Sequence, residues 1–109
     1  GPAGASWELI PMELDGGRPD VYRARLRVSE RGSEEFRILV DRDPSQSIYP
    51  EMHLADQGLA LALGPDGHGS GMYWSCVADF GVQAEVFLDV SRADRRQMVT
   101  WRFEAPTGT

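Results

Sequence analysis

Along most of the chain apolar and polar residues alternate with a period of two, the repeat expected of a strand with one buried face. Over residues 21–28, Tyr22, Ala24, Leu26 and Val28 fall on one face and Arg23, Arg25 and Arg27 on the other. Phe36, Ile38 and Val40 alternate with Glu35, Arg37, Leu39 and Asp41, and the polar run 29–34 predicts a turn between the two segments. As an antiparallel hairpin, the register Tyr22–Val40, Ala24–Ile38 and Leu26–Phe36 sets apolar against apolar. It also sets Arg27 against Glu35, and it places Arg25 opposite Arg37, an unfavourable pair.

The C-terminal third repeats the pattern. Val86, Leu88 and Val90 alternate with Glu85, Phe87 and Asp89; residues 91–96 turn the chain; Val99, Trp101 and Phe103 then alternate with Met98, Thr100 and Arg102. Residues 72–78 read as a further strand and 7–12 as a shorter one ended by proline, while 59–63 fit either a strand or one helical turn. The Gly/Pro-rich run 64–71 reads as a flexible loop. No segment carries a long 3.6-residue repeat. The expectation is therefore an all-β, antiparallel sandwich of about six to eight strands. Its core is expected to hold Tyr22, Leu26, Phe36, Ile38, Val40, Val86, Leu88, Val99, Trp101 and Phe103.

The 109 residues suit one domain. Gly1-Pro2 has the form left by a protease that cuts before Gly-Pro, so residues 1–6 are set aside as a remnant or disordered lead. The sandwich is assigned to 7–104 and a disordered tail to 105–109, the whole being a piece of a larger protein. Seventeen acidic residues against eleven basic ones give a net charge of -6, which opposes nucleic-acid binding. No apolar run approaches the roughly 20 residues that span a bilayer, so no membrane partner is expected. All eleven basic residues are arginine, and residues 51–91 hold six acids and no arginine. Cys76 is the only cysteine, which excludes an internal disulfide and favours a reducing compartment.

The segment 20–28, a short polar loop and then Glu35-Phe36-Arg37-Ile38-Leu39-Val40-Asp41 resembles the central hairpin of the starch- and glycogen-binding carbohydrate-binding modules. The likeness covers about residues 7–50. It implies an immunoglobulin-like β-sandwich that binds α-glucans without catalysis, by stacking sugar rings on aromatic platforms. Under it Trp7 is the first platform and Tyr49 the second, with Gln46 and Asp43 placed to hydrogen-bond sugar hydroxyls. The chain departs from the family by having Arg42–Ser47 where a Gly and a nearby Trp are usual, and by having no Lys.

From the residues themselves, Trp101 and Trp74 fall in phase with apolar neighbours and are expected in the core, whereas Trp7 is open between core and platform. Arg23, Arg25, Arg27 and Arg37 form a basic stripe that fits an acidic partner or, alternatively, a solvated face laced to Glu35 and other acids. His53 and His68 lack the short paired spacing of a zinc site, and Asp41-x-Asp43 reads as a strand-end cap, so no metal or cofactor is expected. Cys76, Ser70 and Ser75 sit in no nucleophile motif, so no enzyme is expected. Two functions follow: an α-glucan-binding accessory module, or a protein-interaction or structural module that docks a protein partner or neighbouring domain.

Overall fold

The computed structural model describes residues 9–104. Nine strands and one short 3-10 turn make up this region: β1 (Glu13–Leu14), β2 (Val21–Arg27), β3 (Ser33–Phe36), β4 (Ile38–Val40), β5 (Asp43–Pro50), β6 (Ala62–Asp66), β7 (Trp74–Val77), β8 (Gln83–Asp89), the turn Arg95–Gln97, and β9 (Val99–Phe103). The chain is all-β and antiparallel in every strand ladder. One four-stranded sheet has the order β1-β2-β8-β9; β3-β7 and β4-β5-β6 form a two-stranded and a three-stranded sheet. Arg37 alone separates β3 from β4, so the two smaller sheets run on from each other.

The core lies between these layers. Val86, Leu88, Val99, Trp101 and Ala84 of the four-stranded sheet pack with Ile38, Ile48, Trp74 and Cys76 of the others. Phe36 joins the two sides, stacked on Trp74 at 5.7 Å and edge-on to Trp101 at 5.6 Å. Aromatic pairs in this range add about 1 kcal/mol beyond their buried area. Seven of the ten expected core residues are buried in this cluster or half-buried against it: Leu26, Phe36, Ile38, Val86, Leu88, Val99 and Trp101. Tyr22, Val40 and Phe103 are instead exposed, each sitting near a strand end or sheet rim.

The expected hairpin between 21–28 and 36–41 does not form. β2 pairs with β8 in the register Tyr22–Leu88, Ala24–Val86 and Leu26–Ala84, with β1 on its other side. This arrangement keeps apolar residues opposite apolar ones and replaces the Arg25–Arg37 clash with Arg25 opposite Glu85. Glu35 pairs with Ser75 on β7, and Arg27 lies over the Phe80 ring at 5.5 Å. Period two fixes which face a residue takes, but it does not choose among neighbours with the same alternation.

The strand count exceeds the expectation because residues 33–50 break into three pieces. Asp41 and Arg42 both have positive φ (54° and 60°), the geometry of a two-residue hairpin turn, and the chain re-enters a strand at once. Residues 43–47, within the stretch where the family has a Gly and a nearby Trp, are thus part of β5. Gly64-Pro65-Asp66 likewise continues β6 rather than opening a loop. Gly64 has φ +91° and backs directly onto the Ser47 carbonyl, so no side chain fits there. Among the described residues the only strand before β2 is β1, which follows Pro11; residues 7 and 8 of the expected strand 7–12 lie outside them. The predicted hairpin at the C-terminus is present as β8–β9, with Val86 opposite Trp101 and Leu88 opposite Val99.

Candidate functional site

Three surfaces carry chemistry: the β5–β6 end, the outer face of the four-stranded sheet, and the edge between β7 and β9.

At the β5–β6 end, Tyr49 is only 6% exposed. Its hydroxyl donates to Asp66 Oδ1 at 2.9 Å, and the Ser47 hydroxyl donates to the Asp66 carbonyl. Gly69 is buried flat against the Tyr49 ring and the Ser47 hydroxyl. The expected open platform at Tyr49 is therefore absent: the 64–71 segment folds back over the ring because Ser47 and Tyr49 share Asp66 as anchor. Asp66 is held below the usual carboxylate range by the His68 backbone N–H and by Tyr49, and burial pushes the Tyr49 phenol up. Gln46 and Asp43 do lie at the surface, with Asp43 accepting from the Ser45 amide and hydroxyl. Trp7 lies outside the described residues, and the other two indoles, Trp74 and Trp101, are buried.

On the outer face, the β2–β8 and β8–β9 registers place Arg25, Glu85 and Arg102 in one row across three strands. Glu85 is buried to 4% exposure, yet it is a carboxylate. Arg102 supplies both of its short contacts, Nε at 3.3 Å and Nη2 at 2.9 Å, while Arg23 and Arg25 stand at 3.8 and 3.9 Å. Arg25 turns its closest contact to Glu104 at 2.9 Å. Phe87, one row on, has the guanidiniums of Arg18 and Arg102 over its ring at 5.6 and 5.3 Å. The stripe Arg23, Arg25 and Arg27 thus shares one face, as alternation predicts, but its partners are Glu85, Glu104 and Phe80. Arg37 does not join it; it lies over Tyr73 at 5.7 Å. Glu85 escaped the sequence reading because an acid between Ala84 and Val86 reads as an outward residue. Nothing in the pattern showed that three arginines would cover it.

The third surface is a shallow depression of about 270 Å³ lined by Leu54, Asp56, Gln57, Ser75, Val77, Trp101 and Phe103. Val77 is 69% exposed, Phe103 42% and Leu54 48%, an apolar rim beside the buried Trp101. Asp56 is the one ionisable side chain in the lining, and among the described residues it makes no ion pair. Cys76 is buried behind the strand, and desolvation, helped by Asp56 and Glu34, pushes its thiol up to about 12. Among the described residues no group of His, Cys, Asp and Glu is placed to hold a metal ion.

These features describe an all-β fold with open surface clefts. Compared with models of known protein families, with curated proteins and with solved structures, the chain matches none.

Proposed function

We propose that this chain is a non-catalytic accessory module of a larger protein, and that it docks a polypeptide through the depression between β7 and β9. The observation that carries the reading is the rim of Leu54, Val77 and Phe103, three large apolar side chains left in water around one cleft. Clustered exposed apolar residues cost solvation free energy that a partner recovers, at about 25 cal/mol per Å² covered. The chain's net charge of -6, with Asp56 in the lining, favours a cationic partner.

The likeness of residues 7–50 to α-glucan-binding modules supports a second reading, sugar binding on Trp7 with Asp43 and Gln46 as hydrogen-bonding neighbours. It needs a ring outside the described residues, because Tyr49 is covered.

Panning a displayed random-peptide library against the immobilised chain separates the two, with affinity electrophoresis in glycogen gels as the sugar arm. Docking predicts enriched peptides that lose binding to Val77→Asp. Enriched peptides that bind Val77→Asp equally, or no enrichment together with retardation by glycogen, overturn it.

A further inference from the structure

Resting on that docking reading, we propose that the depression takes an extended peptide of alternating apolar and basic residues, added as a strand against the free edges of β7 and β9.

The ladders fix which main-chain groups face this edge. In the β8–β9 pair, the Asp89 amide donates to the Met98 carbonyl and the Glu104 amide to the Gln83 carbonyl. Antiparallel pairing alternates, so the N–H and C=O groups of Val99, Trp101 and Phe103 point away from β8. In the β3–β7 pair, the Ala78 amide donates to the Gly32 carbonyl, so those of Ser75 and Val77 point away from β3. Of these, Ser75, Val77, Trp101 and Phe103 line the same depression.

The chain's own 54–57 segment begins what the proposal completes. The Ala55 carbonyl accepts from the Ser75 amide at 2.9 Å, and Ala55 forms a parallel bridge with Trp74. On the opposite side Gln57 Oε1 accepts from the Trp101 amide at 2.7 Å. Each edge thus has one outward donor satisfied by this short piece of chain. The next outward donors along, the amides of Val77 and Phe103, find no acceptor among the described residues. They lie where the segment stops and the depression opens. Unpaired edge groups of this kind template the addition of a strand, with main-chain bonds giving affinity and alternate side-chain sites giving specificity.

Side-chain chemistry then selects the peptide. Apolar residues on one side meet Leu54, Val77 and Phe103, and a cation meets Asp56, whose carboxylate accepts, among the described residues, only from the adjoining Gln57 amide.

The probe is acetyl-Lys-Val-Lys-Val-Lys-Val-amide, titrated into the whole chain and followed by amide NMR and hydrogen exchange. The Val77 and Phe103 amides should shift, and their exchange should slow roughly tenfold at saturation. N-methylating alternate peptide bonds should abolish this, and Asp56→Asn should weaken binding about two- to fivefold. If the N-methylated peptide binds equally well at the same rim, strand addition is overturned while docking at the depression stands. If neither peptide perturbs these amides at millimolar concentration, the strand proposal is overturned, and only the library experiment bears on docking. Equal binding of acetyl-Glu-Val-Glu-Val-Glu-Val-amide overturns the assignment of a basic peptide.

Discussion

The outer face of the four-stranded sheet and the edge between β7 and β9 sit on either side of β9 and handle polar groups in opposite ways. On the face, one buried carboxylate gathers three guanidiniums, a second acid takes the spare contact of Arg25, and two arginines cover the Phe87 ring. On the edge, among the described residues, Asp56 makes no ion pair, the Val77 and Phe103 amides have no acceptor, and the apolar side chains face water. Satisfied polar groups contribute to folding, whereas unsatisfied ones are available to a partner. On the proposed docking reading, the face serves stability and the edge serves recognition.

Trp101 underlies both regions, since its ring fills the core, its amide holds Gln57 and its side chain floors the depression. Trp101→Ala should therefore have the largest effect, costing roughly 3–5 kcal/mol through cavity formation. Denaturant midpoints measure it. A near-neutral result would show that the two regions are not built on a shared core.

Next in size comes the face itself. Arg102→Met removes both short contacts to Glu85 and leaves a buried carboxylate facing guanidiniums near 3.9 Å; the expected cost is about 1–3 kcal/mol. Arg23→Met removes only the 3.8 Å contact of a half-exposed side chain and should cost less than about 1 kcal/mol. Comparing the two by urea unfolding sharpens the assignment. Equal costs would mean that Glu85 is held by the summed field of the cluster rather than by Arg102.

Much of the face was readable from sequence and much of the edge was not, for a physical reason. Alternation of Arg23, Arg25 and Arg27 with Ala24 and Leu26 assigns side chains to faces, because a strand has only two. The β8–β9 hairpin was equally legible, since Val86, Leu88, Val99 and Trp101 lie close in sequence and a short turn joins them. The partner of β2 was not. Residues 36–40 and 84–88 offer the same apolar spacing, and only the charge at Glu85 against Arg25 distinguishes them. Tyr49 was misjudged because its covering acid, Asp66, lies in a Gly-rich stretch whose composition suggests a loop. The depression depends on where segment 54–57 comes to rest between two strands distant in sequence. No local pattern encodes that placement.

Acid tests the comparison through carboxylates held by local hydrogen bonds, with Asp15 and Asp89 beside the outer face among them. Asp15, Asp43, Asp89 and Asp94 are held below their ordinary value by hydrogen bonds from neighbouring amides, hydroxyls or arginines, and Asp66 by His68. A lowered folded-state pKa means stability that is complete above the unfolded value near 4 and is lost as pH falls through the folded one. Thermal midpoints should thus be flat from about pH 7 to pH 5 and fall below about pH 4. A midpoint that instead rises on acidification would show that carboxylate repulsion in this acidic chain outweighs these bonds.

The smallest effect on folding belongs to the edge. Val77 packs little of its side chain, being 69% exposed, and its amide points away from the β3 ladder. Val77→Asp therefore removes no core contact and no ladder bond, and stability should change by less than about 0.5 kcal/mol. The same substitution places a second carboxylate beside the depression that holds Asp56, and it interrupts the apolar rim between Leu54 and Phe103. Peptide docking should be lost while the unfolding midpoint stays where it was. Denaturation and peptide titration on one sample measure both quantities. If Val77→Asp were to lower stability as much as Arg102→Met, the edge would be part of the structural core and the division between the two regions would fail.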